Sequence, residues 1–230
     1  LRMRSIIDAV SFSFSGGICL VEMLNVLERF DLRRHERYSA RNLHVIAETM
    51  KRVYCDRARF LGDQDFVRIP ERLTDRSYAR KLAEQIDERV AAPSETLAPE
   101  IDVKDESPST THFSVIDKDG LAVSNTTTLH YGWGSRIVVK DAGFLLNNIM
   151  NDFNWFPGHT DRSGNIGTKP NQIAPGKRML SPQTPTIVAY KGRPVLITGS
   201  PGGRTIINTS LQMVLNVIEF EMDLPDAMRA

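Results

Sequence analysis

Several things that would declare a function at once are scarce in this 230-residue sequence. It holds two cysteines, Cys19 and Cys55, each inside an apolar segment of helical spacing, so there is neither a disulfide framework nor a thiolate metal site. Buried thiols suit both positions. No apolar run nears the roughly 18 residues that a membrane-spanning helix needs, and "LRMRSIIDAV" is too short and too interrupted for a secretory signal. Neither charge dominates: 29 Lys and Arg against 28 Asp and Glu leave a formal charge of +1, which gives no field to draw nucleic acid or an anionic membrane. Runs such as "DLRRHER" read as solvated helix ends. Repeats, low-complexity tracts and any metal, nucleotide or cofactor constellation are also missing.

What is there, 41% hydrophobic and 25% charged residues, suits a globular protein of one or two domains with a real core. The N-terminal third reads as helix. "GGICLVEMLNVLERFDL" places Ile18, Val21, Leu24, Val26 and Leu27 near one face. "SARNLHVIAETMKRVYCDRARFLGD" starts from a Ser39 cap and repeats Leu43, Ile46, Met50, Val53 and Tyr54 at helical spacing. A third helix is predicted in "RLTDRSYARKLAEQIDERV", capped by Thr74 or Asp75. The proline, serine and acid stretch that follows, through Ser109, predicts an exposed linker.

From Thr111 the period changes to alternation. "HFSVID" and "LAVSNTTTL" flank Lys118-Asp119-Gly120 as a hairpin, and "TPTIVAY" and "RPVLITGS" turn at Lys191-Gly192 as a second. Between them "FNWFPGHTDRSGNIGTKPNQIAPGKRML" has no period and reads as a functional loop or a surface excursion. "GSPGGRTIINTSLQMVLNVIEF" passes from strand through glycines into an apolar helix.

Chemistry suggests itself at the seam between Ser109 and Thr110. A threonine hydroxyl becomes a good nucleophile beside a base, and its own freed α-amine, with a pKa of about 7.7 to 8.0, serves near neutral pH. Freeing that amine requires a cut before Thr110. An exposed tail tolerates the cut, and a strand holds the new terminus. The same letters also fit a plain turn entering a strand. Likewise Gly202 and Gly203, at the start of a helix, can aim N–H groups at a developing oxyanion or simply make a strand-to-helix turn. His112 is expected to be a packed or hydrogen-bonded residue, pointing away from its strand neighbour Thr111. Trp133 and Trp155 fit packing or a pocket wall equally.

Seven stretches in one order, "SGG", "LNVLERFDL", "CDRARFLGDQDFV", "TTHFSVIDKDG", "GFLLNNIMNDF", "PGKRMLSPQTPTIV" and "GSPGG", together resemble the gamma-glutamyltransferase (gamma-glutamyltranspeptidase) family of N-terminal nucleophile hydrolases. The resemblance implies an α+β fold of the αββα sandwich type, incomplete in this chain. It implies a precursor cut before Thr110, with residues 1–109 ending a large, mostly helical subunit and 110–230 starting a small one that associates with it. Thr110 would be the nucleophile, Thr128 its supporting hydroxyl, and Gly202 and Gly203 the oxyanion hole. Asp152 would take the α-amino group of a gamma-glutamyl substrate, and Ser181 would hold its carboxylate. No cofactor is implied, and the compartment implied is periplasmic or secreted.

Three positions depart from the family pattern. His130 stands where the family commonly has Asn, Ile149 where it has Gln or Glu, and Pro182 where it has the second of two serines. Each removes a polar group from a glutamyl site, at roughly 1 to 3 kcal/mol apiece. The expected activity is transfer of a gamma-glutamyl group from glutathione-type amides to water or amines. The alternatives are a related acylase of non-glutamyl specificity and a non-catalytic truncated member. The chain is expected to be a fragment, because the family's upstream arginine has no counterpart here and the small subunit normally continues with further strands.

Overall fold

The computed structural model describes residues 15–97, 110–155, 158 and 168–230. Helices and strands are segregated along the chain, an α+β arrangement. Helix α1 (Gly16–Leu27) is the central element, with α2 (Ala40–Phe60), α3 (Arg76–Glu84) and α5 (Thr205–Val214) packed around it. That position explains a departure from the expected one-sided face. Every residue of α1 is buried except Ile18, which is half-buried, so the helix is surrounded and has no solvent face to keep polar.

Ser39 caps α2 as predicted, its Oγ accepting the Asn42 amide at 3.4 Å. The inward stripe is Val45, Ile46, Thr49 and Val53, whereas Leu43 is 44% exposed. Asn42 takes the inward place beside it because its amide group bonds the Leu32 and Glu36 carbonyls, each at 2.9 Å, and so ties down the preceding turn. The third helix ends at Glu84, short of the periodic pattern. Gln85 and Ile86 close it with tight bonds to Leu82 O and Ala83 O. Asp75 sits at its N-cap without a side-chain bond.

In the expected linker Ala91, Pro93 and Thr96 are exposed, and the stretch from Gln85 to Leu97 runs along α2, tied to it by side chains of that helix. Arg41 Nε reaches Glu88 at 2.7 Å, His44 Nε2 meets Asp87 O at 2.8 Å, and Arg52 Nη2 donates to Gln85 O at 2.7 Å. Lys51 donates to Ala92 O, and Arg59 Nη2 to Leu97 O at 2.7 Å within the short helix α4 (Ser94–Leu97). Long basic side chains thus satisfy carbonyls that an irregular segment would otherwise offer to water. Residues 98–109 lie outside the described residues.

Strands β1 (Thr110–Ile116) and β2 (Ala122–Thr128) pair antiparallel, from Thr110 opposite Thr128 to Ile116 opposite Ala122. Gly120 takes the left-handed place of the turn at φ +89, and Asp117 Oδ1 accepts the Asp119 and Leu121 amides. In the second hairpin, β3 (Thr186–Tyr190) and β4 (Arg193–Thr198), Lys191 and Gly192 are both left-handed, the conformation a two-residue turn requires. The pairing shifts between Val188 and Ala189, where Pro194 has no N–H to give. The first hairpin leans on the second through Ser124 Oγ to Thr198 O at 2.9 Å and Ser114 Oγ to Ile197 O at 3.3 Å. The face carrying His112, Ser114, Ser124 and Thr126 therefore turns toward the second hairpin, and Phe113, Val115 and Val123 on the other face are exposed.

After β4 the chain enters α5 and continues as a π-helical turn, Leu215–Glu219, before α6 (Leu224–Arg229). In that turn Asn216 accepts Arg37 Nε at 2.6 Å and donates to Ala227 O at 3.2 Å. One apolar core joins Leu20, Met23, Val45, Ile46 and Val53 to Leu180, Leu196, Ile207, Leu211 and Leu215. It draws on residues from both sides of the 109/110 junction.

Candidate active site at the start of the first strand

Thr110 is the first residue of β1, and the register sets it opposite Thr128, the last residue of β2. Both are half-buried. Sequence reasoning chose these two residues from opposite ends of a hairpin, and the pairing brings them together. Ser109 lies outside the described residues.

A chain of contacts leads from Thr128 to Asp152. Thr128 Oγ1 accepts the His130 amide at 2.9 Å, and His130 Nε2 donates to Asp152 Oδ1 at 3.1 Å. His130 has φ +79, which costs a non-glycine residue roughly 1 kcal/mol or more and persists only where surroundings fix it. They do: the Asp152 bond holds one end of the ring, and the Tyr131 ring meets it edge-on at 4.4 Å. The other ring nitrogen, Nδ1, is buried without a hydrogen-bond partner among the described residues. Asp152 closes a 3-10 turn, Ile149–Asp152, which Asn147 and Asn148 position. Asn148 Oδ1 accepts the Tyr131 amide, and Asn147 Oδ1 accepts the amide of half-buried Ile149, each at 3.1 Å.

Asn171, which sequence reasoning passed over, joins this cluster to the Ser181 segment. Its Nδ2 donates to Asp152 O at 2.6 Å, and its Oδ1 accepts the Leu180 amide at 2.9 Å. Only its place in an otherwise aperiodic loop hinted at a role. Next to Leu180, Ser181 is held at both ends: its carbonyl accepts Ser15 Oγ at 2.5 Å and its own Oγ accepts the Gln183 amide at 3.2 Å. The Pro182 carbonyl accepts Thr184 Oγ1 at 2.8 Å. Gly16 lets α1 come this close, since a Cβ there would lie 2.5 Å from Gln183 O. Below the segment Arg178 clasps Asp63, with Nη2 to Oδ1 at 2.6 Å and the backbone amide to Oδ2 at 2.8 Å, which holds the Asp63 carboxyl well below its usual range.

Gly202 (φ +124) and Gly203 (φ +56) lie between β4 and α5, and their carbonyls accept the first amides of the helix, Thr205 at 3.1 Å and Ile206 at 3.2 Å. Tyr54 of α2 holds the turn by donating to Arg204 O at 2.8 Å. His112 connects this turn to β1. Strand alternation gives His112 the same face as Thr110, and a Cβ on Gly199 would lie 2.4 Å from its ring. Its nitrogens meet Thr126 Oγ1 at 2.8 Å and Ser114 Oγ at 3.0 Å, and burial lowers its pKa, so it is the hydrogen-bonded structural residue expected. No group of His, Cys, Asp and Glu among the described residues has the arrangement of a metal site.

Comparison with known proteins identifies the family. A sequence model described as Gamma-glutamyltranspeptidase matches residues 4–230. The chain is similar to a "Glutathione hydrolase proenzyme" of Escherichia coli, 45% identical over 94% of this chain and 37% of that protein. One from Pseudomonas aeruginosa is 43% identical over 94% of this chain and 39% of its own length. An "Acylase ACY 1 proenzyme" of a Pseudomonas strain is 33% identical over 94% of this chain and 36% of its own. The chain therefore spans less than two-fifths of these relatives. Its fold is shared by the cephalosporin acylase of Bacillus halodurans, with a TM-score of 0.70 over 94% of this chain and 36% of that one, at 22% identity. With the match running over nearly its whole length, the chain belongs to the gamma-glutamyltranspeptidase family.

Proposed function

We propose that this chain is the junction-bearing part of an N-terminal-threonine amidohydrolase, in which Thr110 becomes the nucleophile by self-cleavage. The Thr110 hydroxyl attacks the Ser109 carbonyl carbon, the Ser109–Thr110 C–N bond breaks, and the released amine takes up the proton. Water then opens the ester, leaving residues 1–109 and 110–230 as parts of two associated subunits that complete an αββα sandwich. In turnover the Thr110 amine accepts the hydroxyl proton as the oxygen attacks the substrate amide. The Gly202 and Gly203 amides receive the oxyanion, and the amine leaves with the returned proton. The acyl ester on Thr110 is then taken by water or by a second amine. Thr128 supports the nucleophile.

The observation that carries this reading is the register of Thr110 against Thr128 at the open end of the first hairpin, in a chain of this family. The relatives are named as proenzymes and include both glutathione hydrolases and acylases. Gamma-glutamyl amides are the first substrates to try. The second reading, an acylase of other specificity, is favoured by one observation, the engagement of Asp152 by His130.

N-terminal sequencing of the purified full-length protein tests the proposal. A fragment beginning at Thr110 is expected, together with its absence from a Thr110→Ala variant. A wild-type protein that stays uncut yet hydrolyses amides, or a Thr110→Ala variant that still splits, refutes it.

A further inference from the structure

We infer that His130 is a specificity-determining residue, which by occupying Asp152 turns the acyl pocket toward acyl groups that carry no ammonium. This rests on the acyl-transfer reading and names the substrate class of the same site.

The argument starts from the contacts. Asp152 is the carboxylate joined to the Thr110–Thr128 pair by continuous contacts, through the His130 amide and ring. A cationic acyl head would be drawn to it, but the carboxylate already accepts the imidazole N–H at 3.1 Å, and both side chains are about one-fifth exposed. An ammonium must then share the acceptor with that donor or displace it. Displacement is costly for this ring in particular. Nδ1 already lacks a partner among the described residues, so losing Asp152 leaves both imidazole nitrogens unpaired in a mostly desolvated place.

The ring cannot easily swing aside either. Its backbone is held at φ +79 by the amide bond to Thr128 Oγ1, and the Tyr131 ring abuts it edge-on. Asp152 is equally fixed from behind, because Asn171 holds its carbonyl and Asn148 ties its turn to Tyr131. Preorganised in this way, the pair stays closed when the arriving chain brings no cation. Leaving a partly buried polar group unpaired corresponds to roughly ten- to a hundred-fold in a binding or specificity constant.

The test compares two amides that differ only in the ammonium, gamma-glutamyl-p-nitroanilide and glutaryl-p-nitroanilide, using the full-length, self-processed protein. The expected result is kcat/KM at least about ten-fold higher for the glutaryl compound. In a His130→Asn variant the ratio is expected to swing toward gamma-glutamyl by a similar factor. Inhibition of the unaltered protein by free glutarate and glutamate gives a readout that needs no variant, and glutarate should bind more tightly. Equal or better turnover of the gamma-glutamyl compound by wild-type protein overturns the inference while leaving acyl transfer standing. An unchanged ratio in a folded His130→Asn protein overturns it too. If a processed protein with Thr110 at its terminus cleaves neither anilide and forms no acyl ester, the acyl-transfer reading fails and the inference falls with it.

Discussion

Glu22 offers a sharp test of the physical reading of the helical half. It is 1% exposed on the central helix and hydrogen-bonds the carboxyl of Asp56, itself buried and accepting the Tyr78 hydroxyl at 2.7 Å. Burial first, and then hydrogen bonding to Asp56, push the Glu22 carboxyl up from 4.5 to about 10. It is therefore a neutral acid at pH 7, donating its proton to Asp56. An unfolded chain releases that proton above pH 4.5 and the folded chain keeps it to about 10, so stability falls as pH rises through this window. At about 1.4 kcal/mol per unit, the penalty at pH 7 has an upper value of about 3 kcal/mol, against about 1 kcal/mol at pH 5. Glu22→Gln keeps the shape and a donor for Asp56 but has no proton to lose. The variant should therefore be more stable than the parent at pH 7, with a melting point higher by roughly 6 to 12 °C. Its advantage should shrink steadily toward pH 5. Calorimetry of both proteins at half-unit steps from pH 5 to 8 checks this, and a difference that stays flat across the series refutes the shared-proton reading.

Three further outcomes follow from other contacts. The Asp63 carboxyl is held below its ordinary 3.8 by the Arg178 hydrogen bonds, so its contribution is fully present above that value and is lost as pH falls below it. Melting points of the parent and of Asp63→Asn should converge on acidification from pH 5 to 3; parallel curves count against the clasp. Gly16→Ala places a methyl group 2.5 Å from Gln183 O and 2.2 Å from Thr184 Oγ1, and is expected to cost about 1 to 3 kcal/mol in urea unfolding. A neutral result means that α1 does not need the close approach. Thr126→Val leaves a nitrogen of half-buried His112 without its 2.8 Å partner, for an expected loss of about 1 kcal/mol, and an unchanged unfolding midpoint contradicts the structural role given to His112.

The elements governed by local chemistry were legible in the sequence. Ser39 as a cap, the glycine turns at Gly120 and Gly192, and the change from helical to alternating period at the seam all rest on interactions within a few residues. What escaped depends on partners far along the chain. Leu43 fits the apolar period of α2, yet Asn42 takes the inward place because the turn before the helix offers it carbonyls. That Lys51 and Arg59 of α2 would hold the Ala92 and Leu97 carbonyls could not be foreseen from a composition of prolines and acids, since these anchors lie about 40 positions earlier in the chain. At the site the same division holds. Thr110 was marked by the seam and Thr128 by the family resemblance, and one hairpin register sets them opposite each other, but the His130–Asp152 bond and the Asn171 bridge require the irregular stretch between the hairpins to be folded first.

The distribution of contacts bears on whether a cut at residue 109 could be tolerated. Residues before the seam hold residues after it at points spread over the whole fold. Ser15 reaches Ser181, Arg33 reaches the Ile218 carbonyl, Arg37 reaches Asn216, Tyr54 reaches Arg204, and Asp63 is clasped by Arg178. Beneath these bonds lies an apolar core to which both sides contribute. Breaking the backbone between the two sides removes a tether, which contributes an effective concentration, and none of the contacts just named. On the far side of the seam Thr110 is paired with Thr128, so a cut before it would leave the amine at the fixed start of β1. Linker-like and strand-like sequence therefore meet at Thr110 for a physical reason: a strand held by its partner keeps the new terminus in place once the bond before it is cut.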